Sequence, residues 1–324
     1  MAKVKALGLD EDQKTGGFIG TLRRQAEQSL AFASLVIIFV FFSFQNSNFY
    51  SLDNINGILL STAVTGLLAV GTTFVIITGG IDLSVGTGTT LAAVMAATAL
   101  SKWHLPLLGG VLVGLLAGAI MGAINGILIT TLKLPPFIAT LAMMMVAKGL
   151  ALVISGVAPV YTDQTKGWSN IALGNIIPNF PNGVLILFVT AIIASIVLNR
   201  TIVGRYTFAI GSNEEATRLS GVNVNKWIVI IYTIGGLFTG MAGIILTSRL
   251  NSAQPALGQG YELEAIAAVI IGGTSLLGGK GSILGTIIGS MIMAVQQEWQ
   301  TVVVGIVIVI AVYTDAIRRR RAGV

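Results

Sequence analysis

Ten apolar stretches follow one another along this chain, near residues 30–44, 57–78, 84–101, 105–131, 136–155, 183–199, 227–247, 262–277, 283–295 and 301–315. A helix needs about 20 residues at 1.5 Å rise to cross a bilayer, with ~17 as a lower limit. In lipid every backbone N–H and C=O must be satisfied within the protein, so runs of this kind fold as helices. Transmembrane strands would instead show ~10-residue segments of alternating polarity. The composition agrees: 54% of the 324 residues are hydrophobic and 10% charged, with a mean hydropathy of +0.87. Soluble domains carry about 25% charged residues, so a water-soluble domain is excluded, and so is intrinsic disorder. The expected fold class is an all-α polytopic integral membrane protein of about ten transmembrane helices. It comprises a polar tail (1–29), one membrane domain (30–315) and a basic tail (316–324). The run from Ala31 to Phe44 lacks a small-residue cleavage site and reads as a retained span.

The net charge of +6 comes from basic residues in short tails and loops, which read as topology signals rather than as a nucleic-acid surface. With the N-terminus inside, fifteen of the nineteen Lys and Arg fall on the inner side, including Lys133, Arg200, Arg205, Arg218, Lys226, Lys280 and Arg318–Arg321. Lys102, Lys166 and Arg249 fall outside, and Lys148 lies within a span. Both termini are therefore expected in the cytoplasm and the number of spans is even. One region resists this count. Ile283 to Thr314 is 32 residues, whereas two spans need ~40. Roughly ten residues are expected to be absent between Val295 and Gln296, whether lost from the record of the chain or deleted in the protein.

The chemistry of catalysis is hard to find. There are no cysteines, which removes disulfides, thiolate nucleophiles and Cys-ligated metals. The single histidine, His104, sits beside Trp103 at an outer span end and reads as interfacial. No G-x-S-x-G elbow is present, and Gly278-Gly279-Lys280 departs from the phosphate-binding loop at Thr274 and Gly281. The chain is read as a transport subunit with no ATPase site, no metal and no cofactor. Met143, Met144 and Met145 read as core filler, and Lys148 as snorkelling or facing the bundle interior.

Three features carry information. Gly110, Gly114, Gly118, Gly122 and Gly126 recur at every fourth residue, which makes one smooth groove on a helix where a second helix can approach. Packing within the chain and contact with another subunit both fit, and Gly281, Gly285 and Gly289 repeat the device. The second feature is an echo: Gly79–Gly88 matches Gly272–Gly281 at five of ten positions, four of them glycine. It raises a possible internal pseudo-repeat, and paired glycine-broken apolar segments point to a transport pathway. Chance and ordinary helix-end glycine compete with that reading. Gly79, Gly80, Asp82, Ser84, Gly272, Gly273, Thr274 and Ser275 are the candidate pathway residues. Asp82 is either an ionisable group lining that path or, with Ser84, a cap on the following helix. Glu262 and Glu264 begin a helix at the outer surface, where negative charge suits the dipole. The third feature is the inner loop 199–226. Ser212 or Asn213 caps a short amphipathic helix over Glu214–Ser220, and Gly221 supplies its stop. Two turns are too short to be stable alone, so this helix must dock, either on the chain's own spans or on a cytoplasmic partner.

Three stretches together resemble the sugar-importing permeases of bacterial ATP-binding-cassette (ABC) transporters, in particular the ribose branch: Gly79–Gly86, Gly211–Lys226 and Arg249–Gly281. The last includes Ser252-Ala253-Gln254-Pro255 and the run Gly260–Val269. The resemblance implies a permease homodimer in the bacterial inner membrane, working with a cytoplasmic ATP-binding subunit and an extracytoplasmic sugar-binding protein. It implies that Gly211–Gly221 is the coupling helix that docks on the ATPase, with Gly211, Asn213, Glu214, Ala216, Arg218, Leu219 and Gly221 as the coupling residues. It also places an Asn-Gly-Leu-rich stretch where this chain breaks at Val295/Gln296. The rival readings are an ion-driven sugar carrier, which would want more intramembrane carboxylates than Asp82, and an ABC permease for another small solute such as an autoinducer.

Overall fold

Apolar runs that must hydrogen-bond their own backbone become helices, and the computed structural model shows them where the hydropathy falls. It describes residues 32–44, 48–295, 304–307, 309 and 313. The tails 1–29 and 316–324, Gln296 and most of the run 301–315 lie outside these. In chain order the helices are α1 (Phe32–Phe44), α2 (Leu52–Ile77), α3 (Val85–Ser101), α4 (Leu107–Thr131), α5 (Pro136–Ser155), α6 (Asn170–Leu173), α7 (Asn182–Arg200), α8 (Ile202–Ser212), α9 (Glu214–Leu219), α10 (Val224–Leu250), α11 (Tyr261–Ile271) and α12 (Ile283–Ala294). Five of them, α2, α4, α5, α7 and α10, are long and apolar enough to cross a membrane. The chain is a helical, multi-pass membrane protein.

Local chemistry sets the ends. Ser51 caps α2 by accepting from the Asn54 amide, Asn223 caps α10 through Lys226, and Pro136 opens α5 where its missing N–H costs nothing. Gly156 closes α5 in the left-handed region.

Helix α2 is the hub, with 89% of its most apolar stretch buried. Leu187 of α7 packs on Gly66, Phe238 of α10 on Gly71, and the Thr73 hydroxyl bonds that of Thr286 in α12 at 2.7 Å. The glycine groove of α4 is filled from within the chain, at Gly110 by Leu100 of α3 and along the rest by α10, running antiparallel. Gly114 meets Ile244, Gly118 meets Gly240 and Gly236, Gly122 meets the Tyr232 carbonyl, and Gly126 meets Val229. A second glycine face, on α12, receives α11: Gly285 lies against Gly272 and Gly289 against Ala268. The opposite face of α4 presents Leu108, Leu112, Leu116, Ile120 and Ile124 outward, each at least 40% exposed, as a lipid-facing stripe does. Met143 is core, whereas Met145 is 54% exposed on the outer face of α5.

The segment 156–182 is structured. Val160–Tyr161 (β1) pairs antiparallel with Ser252–Ala253 (β2). Trp168 is fully buried, with its carbonyl accepting from the Ser248 hydroxyl of α10.

Candidate functional site

The inner loop contains one helix more than its glycines suggest. Gly204 and Gly211 read as interruptions, yet α8 runs through both without a break. They are close-approach residues: a Cβ on Gly204 would strike the Leu198 carbonyl, and one on Gly211 the Ile77 carbonyl. Tyr206 of α8 meets Trp227 of α10 edge-on at 4.8 Å, which seats α8 against the bundle. The α9 helix follows with the ends its sequence specifies. The Asn213 side chain accepts from the Ala216 amide at 2.8 Å, so the cap is Asn213 rather than Ser212. Gly221 stands at φ +84°, and the bonds from Gly221 N–H to Arg218 and from Val222 N–H to Thr217 complete the left-handed stop.

On α9 only Thr217 faces inward, its hydroxyl bonded to the Asn213 carbonyl. Glu214 and Arg218 pair across one turn, and both are too exposed for that pair to contribute much. Leu219 is 83% exposed at the helix tip, with no apolar surface of the described residues covering it.

The two glycine turns end helices in the same way. After α2, Gly79 at φ +82° donates to Ile76 and Gly80 donates to Val75; after α11, Gly273 at φ +85° donates to Ile270 and Thr274 donates to Val269. This matches Gly79 to Gly273, one residue out of the register in which the sequences echo. The second turn is longer, closing on itself through Ser275 N–H to the Lys280 carbonyl, with the Ser275 hydroxyl accepting from Leu277. The turns also meet. The Gly279 N–H donates to the Ile77 carbonyl at 2.8 Å, and Gly278 has Ile77, Gly79 and Gly211 as its nearest neighbours. The end of α2, the turn after α11 and the end of α8 thus form one backbone-to-backbone junction, at the root of α9.

Asp82 is not part of an open surface. It is 1% exposed and Ser84 is fully buried. The Asp82 carboxylate accepts from the Ser84 amide at 2.8 Å and the Ser84 hydroxyl at 2.6 Å, while the Ser84 hydroxyl accepts from Asn125 of α4 at 2.8 Å. Thr140 of α5 bonds both the Leu83 amide and the Ile81 carbonyl. The carboxylate therefore fixes the turn that leads into α3 by holding Ser84, and Ser84 ties that turn to α4, although no side chain caps the first turn of α3 itself. Sequence reasoning passed over Asn125; its signal was to be the only amide in an apolar helix of 25 residues. Thr274 is 4% exposed, with its hydroxyl unpartnered among the described residues.

This architecture defines a class: a polytopic helical membrane protein with a short exposed helix keyed to its glycine turns. Comparison with known proteins narrows it. Residues 54–318 match the sequence model of a family described as "Branched-chain amino acid transport system / permease component". The ribose import permease of Bacillus subtilis is 43% identical over 323 residues, 96% of this chain and 98% of the relative. The fructose import permease of Rhizobium meliloti is 34% identical, covering 82% of this chain and 79% of its own. The xylose transport system permease of Escherichia coli is 33% identical, covering 95% and 96%. No solved structure gives a significant match. The chain belongs to this permease family. The Bacillus alignment spans 323 positions while covering 96% of a 324-residue chain, so about a dozen of its positions have no counterpart here. That is the size of the shortfall in the span count after Ile283.

Proposed function

We propose that the chain is the membrane-spanning subunit of an ABC importer for a monosaccharide, ribose or a related sugar. It works as a homodimer in the bacterial cytoplasmic membrane, with a cytoplasmic ATP-binding subunit and an extracytoplasmic sugar-binding protein. The names of the relatives support the sugar, with the ribose permease more similar than those for fructose and xylose. The observation that carries the coupling role is the placement of α9: an exposed apolar tip, Leu219, on a helix rooted in the junction of Ile77, Gly79, Gly211 and Gly278.

In this reading ATP binding draws the two α9 helices of the dimer together. Backbone packed on backbone has no side chain to yield, so α8 passes a displacement directly to the ends of α2 and α11. Gly79–Ser84 and Gly272–Ser275 then re-aim the helices they join, switching access to the pathway between the two sides. Asp82 keeps the α3 end in register with α4 through Ser84 and Asn125 during that motion. Ten spans, with both termini in the cytoplasm, complete the proposal.

The test is Leu219→Ser in the complete complex reconstituted in vesicles. We expect the ATP-binding subunit to dissociate or sugar-stimulated hydrolysis to fall at least tenfold, with the amount of permease unchanged. Wild-type hydrolysis together with wild-type uptake rejects the coupling role of α9.

A further inference from the structure

The junction lies at one end of the bundle. About 24 Å from Ile77, sixteen residues back along α2 at Ser61, the end of α10, the start of α11 and the upper part of α2 line a small open pocket of about 50 Å³. Its polar lining is Ser61 and Thr65 of α2, Arg249 of α10, and Tyr261 and Glu264 of α11.

All five residues stand on helices, one turn apart in pairs: Ser61 with Thr65, and Tyr261 with Glu264. The chain leaves α10 at Asn251 and enters α11 after Gly260, both in the left-handed region, so two sharp helix ends hold Arg249 and Tyr261 in place. The side chains of Arg249, Tyr261 and Glu264 are half-buried and make no hydrogen bond or ion pair among the described residues. Arg249 and Glu264 thus line one cavity without neutralising each other at contact distance.

Guanidinium donates and cannot accept; carboxylate accepts and cannot donate. A pocket holding one of each, with a phenol and two aliphatic hydroxyls, matches a ligand whose groups both donate and accept. We propose that Arg249, Tyr261 and Glu264, with Ser61 and Thr65, form a subsite that holds the hydroxyls of a monosaccharide as it enters the permease. The proposal rests on the importer reading above. It also places the sugar on α2 itself: Thr65 is twelve residues, about 18 Å, from Ile77 in the junction, so the helix touched by the sugar is the helix moved by α8.

The experiment uses the whole complex in vesicles, supplied with a panel of pentoses and hexoses and with the deoxy analogue of whichever sugar is taken up. Tyr261→Phe, which removes one oxygen, and Glu264→Gln, which keeps size and shape, are compared with wild type. Hydrogen bonds to charged groups contribute enough that Glu264→Gln should lower uptake at subsaturating sugar roughly ten- to hundredfold. Both variants should shrink the preference for the sugar over its deoxy analogue, with sugar-free ATP hydrolysis and the amounts of both partner proteins in the complex unchanged. Unchanged uptake and preference in both variants overturns the subsite. So does loss of the sugar-binding protein from the complex with the preference intact, because the cavity is then a docking surface. A wild-type complex that imports no sugar of the panel overturns the importer reading along with it, and is thereby distinguished from failure of the subsite alone.

Discussion

Gly211 and Gly149 are both helical glycines, and the structure gives them opposite roles. A Cβ at Gly211 meets the Ile77 carbonyl and the Gly279 amide, whereas one at Gly149 meets nothing within 4 Å. Gly211→Ala should therefore cost at least the 1–3 kcal/mol of an overpacked site, because the atoms it strikes are backbone. Gly149→Ala should be neutral or stabilise by up to about 1 kcal/mol, since Ala restricts the unfolded chain and favours the helix. Thermal unfolding of the two purified variants checks this, and equal midpoints contradict the junction. Local chemistry made some residues readable in advance: a cap at Ser212 or Asn213, which the structure resolves to Asn213, and the Gly221 stop depend on neighbours within one turn. Gly204 and Gly211 were not readable, because a glycine that breaks a helix and one that admits a neighbouring strand of backbone look alike in sequence.

Helix α4 shows the same limit at the scale of an element. Five glycines at every fourth residue announce a groove, but the stripe says nothing of what fills it. The occupant is α10, with the Tyr232 carbonyl against Gly122 and Gly236 against Gly118. Gly122→Leu should push α10 away and lower the unfolding midpoint of the detergent-solubilised permease, at a cost of about 2 kcal/mol or more. Leu116→Ala, on the 56% exposed lipid face, should cost far less, since no protein cavity opens there. Comparable losses from both would show that the stripe is not the packing face. Asp82 belongs to this scale as well. Its position after Gly79-Gly80 left a pathway group and a helix cap open; in the structure it is buried and accepts from the amide and hydroxyl of Ser84, while no side chain caps the first turn of α3.

For the whole molecule, the span count makes a prediction that this chain is suited to test, because it has no cysteine of its own. Single cysteines at Ser220, Lys166 and Gly323 can be labelled with a membrane-impermeant maleimide. Lys166→Cys should react in intact cells, and Ser220→Cys and Gly323→Cys only after permeabilisation. Reaction of Gly323→Cys from outside would mean that the residues after Ile283 cross only once. By itself the sequence determined the long apolar helices, the stop at Gly221 and the membrane class, since each of these follows from the solvent of the bilayer and from contacts within a turn or two. The tertiary structure alone decided which glycines touch which carbonyls, that Asn125 meets Ser84, and that Arg249 and Glu264 share a pocket with Ser61. Those contacts join residues up to two hundred positions apart, and packing in three dimensions leaves no periodic trace along the chain.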